Sequence, residues 1–187
     1  MKRCRGAQSV LSCLATYESE SSVYIVMPYC AGGVLNYKGK PKSEGQIRDI
    51  IKSVLEALLE LNAKGYMHRD IKHDNIMYTD KGSDSKMMLI DVGFATKIAD
   101  SNPHNVICGT PGYIAPEVLS YQKGKPLYNE KCDIFSLGVI FYELLTRKHL
   151  FHAKDIKEIL LLNCRASIKF SSPKLNGYSE DCISLLQ

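Results

Sequence analysis

Apolar residues recur at helical spacing over residues 43–64 more clearly than anywhere else in the chain. Ile47, Ile50, Ile51, Val54, Leu55, Leu58 and Leu61 fall on one face, with charged residues between them. Ser43, with Gln46 three positions on, predicts a capping box at the start of this helix, and Gly65 predicts its stop. Upstream, Ser22–Tyr29 is rich in Val, Ile and Tyr and predicts a buried strand, ended by Ala31-Gly32-Gly33. Two short apolar runs, Ile76–Thr79 and Met87–Ile90, are joined by the polar stretch Asp80–Ser85 and predict a hairpin. Asp133–Thr146 is apolar on nearly every side, the pattern of a helix enclosed by other helices. Further helices are predicted at Asp155–Leu162 and from Ser179 onward. The last of these reaches Gln187 just as its apolar face (Cys182, Ile183, Leu185, Leu186) appears, which predicts a truncated chain. The sum is a mainly α fold with small β elements.

Composition narrows the setting without altering that picture. The 187 residues are 45% hydrophobic and 24% charged, with a net charge of +4, an ordinary globular balance. The densest basic patch, Lys38, Lys40 and Lys42, reads as a solvated loop, so neither nucleic acid nor a membrane is expected as a partner. No apolar run reaches the roughly 18–20 residues that span a bilayer. The seven cysteines, at 4, 13, 30, 108, 132, 164 and 182, form no C-x-x-C pair and no metal-like spacing with histidine. Scattered thiols with no signal peptide predict a reducing, intracellular and cytoplasmic location.

The chemistry concentrates in residues 68–75, His-Arg-Asp-Ile-Lys-His-Asp-Asn. A carboxylate, an ammonium and a carboxamide within six positions can take a proton from a hydroxyl, neutralise a moving phosphoryl group and hold a metal. Downstream, in order, stand Asp91-Val92-Gly93, Ala115-Pro116-Glu117 and a helix carrying Asp133 and Gly138. Together these resemble the large C-terminal lobe of eukaryotic-type serine/threonine protein kinases, over about residues 20–187. The Thr-Pro-Gly-Tyr and Asp-Ile-Phe-Ser-Leu-Gly runs are most similar to the calcium/calmodulin-dependent-like group. The resemblance implies a protein kinase-like fold: a remnant of the small lobe's sheet over 1–27 and the helical large lobe over 28–187. Within it fall a hinge at 27–34, a catalytic loop at 68–75 and an activation segment at 91–117.

The same resemblance implies roles. Asp70 would be the base for the substrate hydroxyl and Lys72 would stabilise the transferred phosphoryl group; lysine there resembles the serine/threonine class. Asn75 and Asp91 would hold Mg²⁺, with Asn75 also on the nucleotide. Met27, as gatekeeper, the backbone of Pro28 and Cys30, and Met77 beneath the ring would bind the adenine of ATP. Asp133 would pin the catalytic loop through its backbone N–H groups. Thr110 would contact the base and the substrate, and Arg69 would take a phosphate on the activation segment. Val106 stands where many relatives carry a phosphorylated threonine, so phosphorylation there is not expected to be needed; Thr96 and Ser101 are the other hydroxyls before it. Asp74 and Glu143 match acidic places that read basic side chains, implying a protein substrate, basic in character. His68 is expected to be structural.

Several positions depart from the pattern. Val92 replaces the usual Phe, and Val34 an acidic residue. No G-x-G-x-x-G and no V-A-I-K-like lysine occurs, Lys2 being the only lysine before Met27. Some of the apolar residues at 10–14 are expected to be the remnant of the strand before the hinge. Glu117 would pair in the family with an arginine beyond the last helix, and no arginine follows Arg165; a buried, unpaired carboxylate would be costly, so either another partner for Glu117 or a loose segment is expected. An ATP-dependent protein kinase, as an incomplete catalytic domain, is the leading reading. A pseudokinase or kinase-derived docking module is the alternative. A small-molecule phosphotransferase fits poorly with Gly109-Thr110-Pro111-Gly112 and Ala115-Pro116-Glu117.

Overall fold

The computed structural model describes residues 9–82, 85–100, 106–168, 170 and 173–187. The elements in chain order are β1 (Ala15–Glu18), β2 (Val23–Val26), β3 (Gly33–Val34), α1 (Glu44–Ala63), β4 (Tyr66–Met67), β5 (Ile76–Tyr78), β6 (Met87–Leu89), β7 (Thr96–Lys97), α2 (Pro116–Leu119), α3 (Lys131–Thr146), α4 (Ile156–Arg165) and α5 (Glu180–Leu186).

Helix α1 forms as its sequence requires. The Ser43 hydroxyl accepts the Gln46 amide at 3.2 Å and the Gln46 side chain accepts the Ser43 amide at 2.9 Å, closing the expected capping box. Gly65 follows with φ +78°, a left-handed stop that a glycine adopts without strain. The buried face is Ile47, Ile50, Ile51, Val54, Ala57, Leu58 and Leu61. Leu55, expected on that face, lies at its edge and is exposed, while Ala57 takes a buried place. This face packs on α3, whose Leu137, Ile140, Phe141, Leu144 and Leu145 belong to the same core. Burying each such side chain contributes about 1.5–3 kcal/mol. Helix α3 is buried at most of its positions, as its pattern predicts, but Ile134 near its start is exposed.

The β5–β6 hairpin also forms as expected, with Ile76 opposite Leu89 and Tyr78 opposite Met87, and β3 adds to its other edge. Val10 and Leu11 do not make the strand before the hinge. They bridge the free edge of β6, where the Leu11 amide donates to the Leu89 carbonyl and the Leu89 amide to the Ser9 carbonyl, both at 2.8 Å. The strand that pairs with β2 is β1, antiparallel to it. Strand β2 lies within Ser22–Tyr29 but is exposed along its whole length, contrary to the burial its composition predicts. It pairs only with β1, and neither face of this two-stranded sheet is covered among the described residues.

Helices α4 and α5 start at the predicted caps. Asp155 accepts the Glu158 amide and Ser179 the Cys182 amide. Helix α4 runs three residues past its expected end, to Arg165. Glu44 accepts the Ser179 amide at 2.9 Å and hydroxyl at 2.6 Å, tying the starts of α1 and α5 together.

Candidate active site

Between β4 and β5 the chain turns sharply through residues 68–75. Arg69 takes φ +71°, a strained value for a residue with a Cβ. Asp133, the third residue of α3, holds that turn by accepting the amides of His68 and Arg69, each at 2.7 Å. It is not the helix cap; Glu130 precedes α3. Burial pushes the Asp133 carboxyl above its usual value, and the neighbouring His68 and the two amides oppose that. His68 is fully enclosed, and burial holds its imidazole below its ordinary value. Its Nδ1 accepts the Asp70 amide at 3.2 Å, which places the proton on Nε2, 3.1 Å from the Ile90 carbonyl. His68 is therefore a neutral structural spacer between Asp70 and the Ile90 carbonyl that precedes Asp91.

This frame presents Asp70, whose side chain is nearly buried. One carboxylate oxygen accepts the Thr110 hydroxyl at 2.6 Å. The other accepts the Asn75 carboxamide at 3.0 Å and lies 3.1 Å from the Lys72 ammonium. Lys72 also donates to the Thr110 hydroxyl at 2.8 Å. Asp70, Lys72 and Thr110 thus form a closed triangle, in which a proton acceptor sits beside a cation able to stabilise a nearby anion. The approach depends on Gly109, at φ +119°, where a Cβ would meet the Arg69 carbonyl at 3.0 Å.

Asp91 is brought to the same end of the fold because the Ile90 amide donates to the Asn75 carbonyl at 2.9 Å. It is exposed, has φ +56° and accepts the Gly93 amide at 3.1 Å. The oxygens of Asn75 and Asp91 are hard donors of the kind that suit Mg²⁺. Val92 is buried in the main core, so the smaller side chain still packs. In the stretch expected to be a hinge, Met27 and Pro28 are exposed and Cys30 is buried, where burial pushes its thiol up. Neither the Pro28 carbonyl nor the Cys30 amide is engaged in a hydrogen bond among the described residues. Met77 lies opposite Val34 across β5 and β3.

Residues 112–114, within the stretch expected to be the activation segment, are anchored by groups that the motifs do not reveal. Asn163 of α4, fully buried, accepts the Gly112 amide at 2.9 Å and donates to the Ile114 carbonyl at 3.0 Å. Ser136 of α3 donates to the Tyr113 carbonyl at 2.7 Å. An asparagine facing inward from an amphipathic helix is the one signal that pointed to such a role. Arg69 is buried, with Nε donating to the Phe94 carbonyl at 2.7 Å and NH1 to the Tyr128 hydroxyl at 3.2 Å. Tyr128 in turn donates to the Val106 carbonyl at 2.6 Å, so protein groups occupy the arginine expected to hold a phosphate. Thr96 is buried in β7; Ser101 lies outside the described residues. Glu117 is exposed, which removes the expected cost of a buried unpaired carboxylate. Glu143 is enclosed, whereas Asp74 is exposed. No helix among the described residues is long and apolar enough to cross a membrane.

A family model described as the protein kinase domain matches residues 1–187. The chain is 37% identical over 175 residues to "Probable serine/threonine-protein kinase 2" of Plasmodium falciparum, covering 91% of this chain and 33% of that one. It is 36% identical over 181 residues to calcium-dependent protein kinase 5 of Plasmodium berghei, covering 95% and 31%. Calcium/calmodulin-dependent protein kinase type 1 of Macrobrachium nipponense is 34% identical over 175 residues, covering 92% and 49%. The chain spans 31–49% of the length of these relatives.

Proposed function

The chain belongs to the protein kinase family, and from that premise we propose that it transfers the γ-phosphoryl group of ATP to a serine or threonine hydroxyl of a protein. The observation that carries this reading is the carboxylate of Asp70, held by Thr110, Asn75 and Lys72 at 2.6–3.1 Å. The substrate hydroxyl oxygen forms a bond to the γ-phosphorus, the bond from that phosphorus to the β–γ bridging oxygen breaks, and ADP leaves. The hydroxyl proton passes to Asp70. Lys72 faces the transferred group and stabilises its charge. Asn75 and Asp91 would hold Mg²⁺, which neutralises the phosphates. The backbone of Pro28 and Cys30, with Met27 and Met77, would bind the adenine. Residues 1–27 would then serve as small-lobe sheet and 28–187 as the large lobe. Of the two acids expected to read a basic substrate, only Asp74 is exposed, so a basic preference rests on it. Six free cysteines among the described residues support an intracellular, cytoplasmic setting.

Incubating the full chain with Mg-ATP and a basic serine-containing peptide tests the reading. Turnover is expected, and Asp70→Asn is expected to lower it by about 10²–10⁴-fold. Equal turnover in the variant, or none in the parent chain, overturns the reading; the latter favours a docking module.

A further inference from the structure

A second polar cluster is built around Glu143 of α3. Its carboxylate is 2% exposed and accepts three bonds. They come from the Tyr113 hydroxyl at 2.9 Å, His73 Nε2 at 3.0 Å and His149 Nδ1 at 2.9 Å. Each donor belongs to a different segment: the activation segment, the catalytic loop and the chain after α3. Tyr37 covers the cluster. Its ring stacks on His73 with centroids 4.4 Å apart, and its hydroxyl lies 2.8 Å from His149 Nε2. Burial, together with the charge of Glu143, pushes the Tyr113 hydroxyl well above its ordinary value, so it keeps its proton and donates. The same causes push Tyr37 up to about 12.

Two turns connect this cluster to the reacting groups. The Asn75 amide donates to the Lys72 carbonyl at 3.1 Å, so His73 lies inside the turn that carries both. The Tyr113 amide donates to the Thr110 carbonyl at 3.0 Å. Thr110 closes the circuit on Asp70 at 2.6 Å. Within this circuit His73 has one polar hold. Its Nδ1 is buried and has no hydrogen-bond partner among the described residues, so the ring is fixed through Nε2 alone.

We propose that Glu143 is a positioning residue that sets the catalytic loop, through His73, and the Thr110 segment, through Tyr113, against one carboxylate. The proposal rests on the phosphoryl-transfer reading above. Glu143 touches neither nucleotide nor hydroxyl in it; it keeps Asp70, Lys72 and Thr110 in register.

Three variants of the full chain test this: His73→Leu, His73→Gln and Tyr113→Phe. Each is followed by steady-state kinetics and by backbone amide NMR. His73→Leu removes the donor and is expected to lower kcat about tenfold, with KM for peptide and ATP within about twofold, the signature of misplaced groups. The carboxamide nitrogen of His73→Gln reaches about the place of Nε2 and is expected to restore kcat to within about threefold of the parent. Amides of residues 70–75 and of Thr110 should move in the Leu variant and return in the Gln variant. Parent-like kcat in the Leu variant, or an equal defect in both with unmoved amides at 70 and 110, overturns the proposal. If the parent shows no turnover that Asp70→Asn removes, the phosphoryl-transfer reading fails and the amide shifts alone decide the coupling. If His73→Leu does not fold, Tyr113→Phe decides. Movement of the residue 72–75 amides supports the circuit, and their staying fixed overturns it.

Discussion

The β1–β2 hairpin and the α1–α3 layer are built from comparably apolar sequence and reach opposite ends. Val23, Tyr24, Ile25 and Val26 alternate across a paired strand, yet all four are exposed. Ile47, Leu58 and Leu61 of α1 and Ile140 of α3 are fully enclosed. Pairing follows from the backbone and from β-branched residues, whereas burial needs a second layer opposite. The hairpin has the first and lacks the second among the described residues. The turn at residues 68–75 is attached to the enclosed layer, through Asp133 and Glu143 of α3. Its strained Arg69 and the convergence of Asp70, Lys72 and Thr110 are therefore held by the enclosed layer, while residues 27–30 adjoin the exposed strand pair.

The comparison breaks first at Asp133. Asp133→Ala leaves two buried amides without their acceptor and is expected to cost about 2–6 kcal/mol, from about 1–3 for each group. Urea denaturation measures it, and a loss under about 1 kcal/mol would mean that α3 does not hold the loop. Next, Leu61→Ala in α1 is expected to cost about 2–5 kcal/mol by the same measurement. Acidification gives a smaller effect. The imidazole of His68 is held below its ordinary value of 6.5, so its stabilising contribution is present above that value and lost as pH falls through the lower, folded one. Asp133, pushed up by burial, acts with the opposite sign as pH rises through its own folded value. The melting temperature should fall as pH drops below 6.5 while NMR shows His68 of the folded protein still neutral, and a rise would contradict the assignment. Smallest of all, Ile25→Ala on β2 is expected to change stability by no more than about 0.5 kcal/mol. A cost near that of Leu61→Ala would show that the hairpin is covered after all.

What the sequence made legible divides along similar lines. Helix α1 could be read because Ser43, Gln46 and seven apolar positions lie within one stretch of chain. Asp70, Lys72 and Asn75 could be read as a group because one turn carries all three. The burial of β2 was misread because it depends on what lies opposite the strand, and Leu55 because a helical face has edges that only the packed neighbour defines. Two-residue strands such as β4 and β7 have no periodicity to detect. The ring around Glu143 draws on residues 37, 73, 113 and 149, which share no local spacing; only their packing against α3 brings them together.

The bridge between Val10 and β6 has a consequence for how the chain comes into being. Its two sides are made far apart in time. At about 5–20 residues per second, a ribosome takes on the order of 4–16 s to travel from Val10 to Leu89. Throughout that interval Val10 and Leu11 are finished but their partner strand is not. When β6 emerges, the earliest described residues dock beside the hairpin that leads into Asp91, so nascent-chain folding at this site must run backwards along the message.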